Sequence, residues 1–79
     1  MQIKILGPGC ANCANLEKNT RAALAGLGLE ADLEKVTDYT AIASYGVMRT
    51  PGLVVDEQVV SSGRVPRPAE IADLLRPHA

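Results

Sequence analysis

The two cysteines of the chain, Cys10 and Cys13, are separated by two residues. They follow a short apolar segment over residues 1–6 and a Gly7-Pro8-Gly9 break, and they precede a stretch with helical spacing of apolar residues. A thiolate forms most easily at the beginning of a helix, because unpaired backbone N–H groups and aligned peptide dipoles favour negative charge there. The pattern therefore indicates thiolate chemistry, either soft-metal binding or a cycling redox pair.

A permanent structural disulfide is the weaker interpretation of this pair. Closing so short a ring stabilises a fold by only about 2 kcal/mol, compared with nearly 5 kcal/mol for a loop of about a hundred residues. The apolar run before the cysteines is too short for a signal sequence or a membrane span, so we expect a cytoplasmic location. In a reducing compartment such pairs more often bind metal or cycle.

Composition limits the classes of partner. The chain has 79 residues, 47% of them hydrophobic and 22% charged, with a formal net charge of -1, which predicts one ordinary globular domain over residues 1–79. Its eight Lys and Arg are scattered among nine Asp and Glu and form no basic stripe. We therefore predict no nucleic-acid partner and no membrane partner, and we expect a monomer.

The hydrophobic pattern predicts the order strand, helix, strand, helix, hairpin, helix. The first two strands are parallel and need a helical crossover, and the second has one solvated face, which is typical of an edge. Its Glu34 and Lys35 are interpreted as solvating residues. The predicted strands cover residues 1–6, 29–36, 53–55 and 58–61, and the predicted helices begin near Cys13, Asp38 and Pro68.

Turn residues separate these elements. Asp56-Glu57 has the spacing of a tight hairpin turn. Thr37-Asp38 is expected to supply a capping oxygen to the second helix, and Gly46 fits the end of that helix. Pro77 is expected to end the third helix. His78 lies beyond it and is interpreted as part of a solvated tail.

The element order, the cysteine pair between the first strand and the first helix, and Thr50-Pro51 before the third strand resemble the thioredoxin fold. The stretch from Tyr45 to Pro51, YGVMRTP, is similar to the thioredoxin segment that leads into the cis-proline strand. The resemblance spans nearly the whole chain. It implies an α/β fold of minimal, glutaredoxin-sized thioredoxin type (βαβαββα), with a four-stranded mixed sheet flanked by three helices.

The resemblance also implies a thiol–disulfide oxidoreductase with a redox-active Cys10–Cys13 disulfide and no other cofactor or metal. Cys10 is the expected nucleophile because it lies at the predicted helix start. Cys13, one turn deeper, is the expected resolving thiol. The implied partners are protein or small-molecule disulfide substrates and an electron donor, either a thioredoxin-reductase-like protein or a dithiol.

The substrate-binding residues are likewise expected from the resemblance. It implies a cis Thr50-Pro51 bond that turns the Thr50 backbone toward the dithiol, whereas an ordinary trans proline at a strand start is the alternative. Gly63 corresponds to a glycine that lets a loop approach the active site, and its simpler role is a turn. The remaining expected substrate contacts surround the cysteines: Gly9, Ala11 and Asn12.

Two departures from known patterns leave the redox direction and the donor open. Ala11-Asn12 replaces the Gly-Pro pair of thioredoxins, and Gly9 stands where thioredoxins carry tryptophan. Such changes shift the potential of the couple. The residues 61–64, SSGR, lack the glycine pair and acidic residue with which glutaredoxins hold glutathione, so glutathione dependence is disfavoured.

A soft-metal or metalloid binding module is the alternative function. Small heavy-metal-associated domains also place such a cysteine pair between a first strand and a first helix, and thiolates select Cu(I) or Zn(II). Those domains usually carry methionine before the first cysteine and a helix between strands three and four. Here Gly9 precedes Cys10 and the last two strands form a predicted hairpin, which favours disulfide exchange.

Overall fold

The computed structural model describes residues 1–9 and 11–78. The strands within them are β1 (Gln2–Leu6), β2 (Asp32–Val36), β3 (Gly52–Val55) and β4 (Gln58–Ser62). The α-helices are α1 (Ala11–Leu27), α2 (Tyr39–Ser44) and α3 (Pro68–Leu75), and a 3₁₀ turn over Arg76–His78 follows α3. The predicted order of elements is confirmed.

The four strands form one mixed sheet in the order β2-β1-β3-β4. β1 pairs in parallel with β2 and antiparallel with β3, and β3 pairs antiparallel with β4. β2 therefore lies at an edge, as its charged alternation predicted. It begins at Asp32 rather than at residue 29, because the N–H groups of Gly28 and Leu29 donate to the last turn of α1 at 3.2 and 3.0 Å.

Helices cover both faces of the sheet, and β1 shows how its sequence serves both. Successive side chains of a strand point to opposite faces. Ile3 and Ile5 pack in the larger core cluster with residues of α1 and α3, whereas Leu6 packs in a smaller cluster with Ile42 of α2. The fully buried side chains of the larger cluster include Ile3, Leu16, Leu53, Ile71 and Leu75.

The apolar stripe predicted for α1 is confirmed. Its buried residues recur at intervals of three or four, which places them on one side of the helix. Thr20 is buried among them, and its hydroxyl donates to the Leu16 carbonyl at 2.7 Å, so the polar atom is satisfied. The buried set is Cys13, Leu16, Thr20, Ala23 and Leu24.

No helix in the described part of the chain is long and apolar enough to span a bilayer.

Three local signals at turns and helix ends are also confirmed. Asp56 and Glu57 connect β3 to β4 with φ values of 48° and 68°, and positive φ at both central residues defines the tight hairpin that matches strand twist. The Asp38 carboxylate accepts a hydrogen bond from the Ala41 N–H at 3.0 Å and caps α2. Gly46 follows this helix with a φ of 76°.

The interpretation of His78 as a solvated tail residue is wrong. The chain continues past Pro77 in a 3₁₀ turn, and the His78 side chain is only 17% exposed. Its Nδ1 lies 3.7 Å from a carboxylate oxygen of Asp56 in the hairpin turn. The α-helix itself ends at Leu75, before Pro77, as predicted, and the 3₁₀ turn that follows admits the proline.

A hydrogen-bonded network on the α2 face joins three elements that are distant in sequence. The Lys4 ammonium donates to the Tyr45 hydroxyl at 2.7 Å and to Glu57 Oε1 at 2.8 Å, and the Tyr45 hydroxyl donates to Glu57 Oε2 at 3.1 Å. The hydrogen bonds from Lys4 and then Tyr45 lower the pKa of Glu57. The network therefore links β1, the end of α2 and the hairpin turn.

Replacing Glu57 with glutamine should reduce the acid sensitivity of the fold. A carboxyl group whose folded-state pKa is lowered stabilises the protein above its unfolded pKa of about 4.3, and this stabilisation disappears as the pH falls through the folded value. We expect the free energy of unfolding to fall less steeply between about pH 7 and about pH 3 in Glu57→Gln than in the parent. Urea unfolding at several pH values measures this.

The exposed Glu34 of β2 provides the control for this measurement. Glu34→Gln removes the same charge at a position outside the network. Its pH profile should follow that of the parent more closely than the Glu57→Gln profile does. Equal slopes for the parent and Glu57→Gln would contradict the assigned role of the network.

Candidate active site

Cys13 lies in the first turn of α1, where the chain leaves β1 through Gly7-Pro8-Gly9. Gly9 has a φ of 90°, a conformation that glycine adopts readily, and α1 begins two residues later at Ala11. The Cys13 side chain is 6% exposed and belongs to the larger core cluster. Cys10, the predicted nucleophile, lies outside the described residues.

Gly7 makes room for the Cys13 sulfur. The Gly7 N–H donates to the Val36 carbonyl at 2.9 Å, which holds its backbone beside the end of β2. A Cβ atom added to Gly7 would overlap with Cys13 Sγ, and it would lie 3.7 Å from the Cβ of Thr50. The α1 turn and the loop before β3 therefore converge on a position that has no side chain.

Sequence reasoning missed Gly7 as a site residue and treated it as part of the turn. The available signal was its place directly after a buried strand, where a helix must fold back closely onto the sheet. A glycine inside or beside a strand often marks such a close backbone approach.

The Thr50–Pro51 peptide bond is cis, and Pro51 is buried. The Pro51 carbonyl accepts a hydrogen bond from the Gly63 N–H at 2.9 Å. Gly63 has a φ of 75°, and a Cβ there would lie 3.1 Å from the Cβ of Arg49. Gly63 therefore packs against the loop of residues 49–51.

The structure places the predicted substrate-binding residues at three locations: beside Cys13, in the first turn of α1, and at the loop of residues 49–51. Gly9 lines a pocket together with Cys13, and the Thr50 Cβ lies near the position that a Gly7 Cβ would occupy. Ala11 and Asn12 are exposed in the first turn of α1. Gly63 contacts the loop through Arg49 and Pro51.

The pocket beside Cys13 has a volume of about 60 Å³. A space of this size holds one or two water molecules, whereas sites for organic ligands usually measure about 300–1,000 Å³. It lies between the start of α1 and the ends of β1 and β2. Its lining residues are Ile5, Gly7, Gly9, Cys13, Ala14, Lys35 and Thr37.

An ion pair borders this pocket. Glu17 lies one helical turn after Cys13, and its Oε1 is 2.9 Å from the Lys35 ammonium. Its Oε2 accepts hydrogen bonds from Arg21 Nη2 and Nε at 3.0 and 3.1 Å. The hydrogen bonds from Lys35 and then Arg21 lower the pKa of Glu17. Lys35, which the sequence suggested was a solvating residue, therefore lines the same pocket as Cys13.

The structure bears on the soft-metal alternative through the hairpin. β3 and β4 are joined directly by Asp56-Glu57, with no intervening helix. Among residues 1–9 and 11–78, no three His, Cys, Asp or Glu side chains are grouped so that they could hold a metal ion.

Comparison with known proteins decides the family. A family model described as a thioredoxin domain matches residues 1–76. The chain is 44% identical over 75 residues to a thioredoxin of Methanothermobacter thermautotrophicus, covering 95% of this chain and 97% of that protein. The chain belongs to the thioredoxin family.

A second thioredoxin, from Methanocaldococcus jannaschii, is 38% identical over 74 residues, covering 94% of this chain and 85% of that protein. As a member of the thioredoxin family, the chain is a thiol–disulfide oxidoreductase. The comparisons give no support to the soft-metal alternative.

Adding a methyl group at Gly7 should displace Cys13 and destabilise the fold. Gly7→Ala places a Cβ where the sulfur lies, and overpacking of this kind typically costs about 1–3 kcal/mol. We expect a free energy of unfolding lower by this amount in urea titrations, together with slower disulfide reduction.

Gly26→Ala is the matched control for Gly7→Ala. Gly26 lies within α1, and a Cβ there meets no atom within 4 Å. Alanine should therefore raise stability by up to about 1 kcal/mol and leave reduction unchanged. Equal stability of the Gly7→Ala variant and the parent would rule out the close contact.

Proposed function

We propose that this member of the thioredoxin family reduces disulfides through Cys10 and Cys13, with Cys10 as the attacking thiolate and Cys13 as the resolving thiol. The observation that carries the proposal is the position of Cys13, buried in the first turn of α1 against Gly7 and close to the Thr50–Pro51 loop. A buried sulfur is poorly accessible to a bulky substrate but well suited to an intramolecular step.

The two roles follow from position and exposure. Cys10 immediately precedes α1 in the sequence, where the helix N-terminus favours an anion by about 0.3–2 kcal/mol. Cys13 is 6% exposed, so a substrate disulfide has little access to its sulfur. The position before the helix is therefore assigned to the first attack, and the shielded position of Cys13 to the second.

The reaction proceeds by two sulfur exchanges. The Cys10 thiolate attacks one sulfur of the substrate, the substrate S–S bond breaks, and the first substrate thiolate leaves. The Cys13 thiolate then attacks Cys10, which releases the second substrate thiolate and forms the Cys10–Cys13 disulfide. Two electrons pass to the substrate, whose thiolates take up protons from solvent, and a dithiol donor restores the reduced pair.

The loop that ends in Pro51 is the proposed substrate-binding edge. Thr50 is adjacent to the site, and its backbone groups would pair with an extended segment of the substrate. Met48, two residues earlier, is 94% exposed and offers an apolar contact at the rim. The other proposed contacts are Gly9, Ala11, Asn12 and Gly63.

The remaining features of the proposal concern partners and setting. Protein or small-molecule disulfides are the substrates, and a dithiol or a reductase-like protein is the electron donor. The redox-active disulfide serves without an organic cofactor or a metal. We propose a single-domain monomer acting in a reducing compartment such as the cytoplasm, where a reduced pair is maintained.

Insulin reduction driven by dithiothreitol tests the activity. Cys10→Ser should reduce the rate to that of dithiothreitol alone, because the first attack is lost. Cys13→Ser should also lose most of the turnover, and when the reduced variant is mixed with insulin in the absence of dithiothreitol it should accumulate a mixed disulfide, because the resolving step alone is lost. Mass spectrometry of the intact protein detects the adduct. A Cys10→Ser variant with undiminished activity would refute the proposed roles.

Alkylation of the reduced protein provides an independent test of which sulfur attacks first. Iodoacetamide should modify Cys10 before Cys13, because the reagent requires an accessible thiolate. Peptide mass spectrometry after short exposure measures both sites in one sample. Faster modification of Cys13 would reverse the assignment.

A further inference from the structure

Arg49 lies directly before Thr50 in the loop that leads into β3, and its aliphatic stem packs on Gly63. A Cβ atom added to Gly63 would lie 3.1, 3.4 and 3.9 Å from the Cβ, Cδ and Cγ atoms of Arg49. Three carbons of the stem therefore lie along the glycine, whereas the residue as a whole is exposed. An arginine in this arrangement covers apolar surface with its stem and keeps the guanidinium in water.

The backbone of Gly63 also fixes the loop that carries Arg49. The Gly63 N–H donates to the Pro51 carbonyl at 2.9 Å. On the other side of the loop, the Thr50 Cβ lies 3.7 Å from the position that a Gly7 Cβ would occupy. Consecutive side chains thus lie against different parts of the molecule, Thr50 near Gly7 and Arg49 against Gly63. The guanidinium therefore extends from a fixed stem beside the proposed substrate-binding edge.

Arg49 differs from the other arginines in its pairing. Within residues 1–9 and 11–78, it is the arginine that forms no ion pair with a carboxylate. Glu70, the acid that follows the Gly63 loop, is already shared by two other arginines. The charge of Arg49 is therefore available to a partner from outside the chain. The arginines that do pair with an acidic side chain are Arg21, Arg64, Arg67 and Arg76.

The sequence around Arg49 supplies no acid that could offset its charge. Between Asp38 and Asp56 the only charged residue is Arg49, although the chain as a whole has a net charge of -1. Asp56 and Glu57 form the turn at the far end of β3, which begins beside the loop of residues 49–51. A strand rises about 3.4 Å per residue, which separates this turn from the loop by about 10 Å along the strand. The proposed substrate-binding edge is therefore locally basic.

We propose that Arg49 is a specificity-determining residue that selects protein disulfides with an acidic side chain close to the attacked cysteine. A substrate segment that pairs with the Thr50 backbone brings its neighbouring Asp or Glu to the exposed guanidinium, which binds a carboxylate through two parallel hydrogen bonds. Arg49 acts on binding and orientation of the substrate and takes no part in sulfur exchange. The inference rests on the proposed function and names the substrate class of that site.

Matched peptides with one activated disulfide test this selection. Each peptide carries a single cysteine joined to 2-thiopyridine through a disulfide, and the cysteine is flanked on both sides by glutamate, by glutamine or by lysine. The Cys10 thiolate attacks the peptide sulfur, the S–S bond breaks, and thiopyridone leaves with the electron pair. The absorbance of the released thiopyridone gives the rate of this first exchange.

The measure of selection is the rate with the glutamate peptide divided by the rate with the glutamine peptide. The intrinsic reactivity of each peptide cancels when this ratio is compared between variants. Arg49→Gln should lower the ratio about 2- to 5-fold, as expected for the loss of one exposed ion pair. Arg49→Lys keeps the charge and should retain most of the ratio. Arg49→Glu should shift the preference toward the lysine peptide.

Lys18→Gln is the charge-matched control for Arg49→Gln. Lys18 is an exposed lysine of α1, and its replacement changes the net charge by the same amount. The ratio for Lys18→Gln should therefore stay at the value of the parent. Equal ratios for the parent and Arg49→Gln, or an equal loss in Lys18→Gln and Arg49→Gln, would overturn the inference.

A salt series gives a second measurement on the unsubstituted protein. Sodium chloride screens exposed charges, so the ratio for the parent should fall as the salt concentration rises, and a ratio independent of salt would count against Arg49. If Cys10→Ser released thiopyridone at the parent rate, the proposed function would fail. If Cys10→Ser were inert and the parent and Arg49→Gln gave the same ratio, the inference alone would fail.

Discussion

Close packing of α1 onto β1 at Gly7 is the contact on which the rest of the site depends. Because Gly7 has no side chain, the Cys13 sulfur occupies the space that a Cβ would fill and joins the core cluster. The sulfur is therefore held from two sides, by the sheet and by the helix. The packing that stabilises the fold therefore also fixes the sulfur that we propose as the resolving thiol.

Burial of the Cys13 sulfur disfavours its ionised form, and the proposed reaction requires the surrounding groups to offset this cost. Complete burial disfavours an ionised group by up to about 4–7 kcal/mol, whereas a helix N-terminus favours an anion by about 0.3–2 kcal/mol. The helix alone is too weak to balance burial at its upper limit. The pocket that Cys13 lines is large enough for one or two water molecules, which would solvate the anion in the proposed reaction.

The features that the sequence predicted correctly depend on local signals. The stripe of α1 follows from helical periodicity, the Asp38 cap from a side chain three residues before its donor, and the Asp56-Glu57 turn from two adjacent residues. The features that it missed are tertiary. Lys4 donates hydrogen bonds to Tyr45 and Glu57, which lie 41 and 53 residues away in the sequence. Likewise, nothing in the sequence near Lys35 specifies Glu17 as its partner.

The Thr50–Pro51 loop is held by contacts that do not involve the described cysteine. On the α2 face, the Lys4 network fixes Tyr45, five residues before Thr50. On the other side, Gly63 donates to the Pro51 carbonyl. Both ends of the loop are thus anchored to the sheet.

The ion pair beside the pocket limits which group can accept the proton of Cys13 in the proposed reaction. Glu17 lies one turn away, but both of its oxygens are paired and its pKa is lowered, so it is a poor proton acceptor. In the proposed reaction the acceptor is then water, and the space beside Cys13 accommodates one or two molecules.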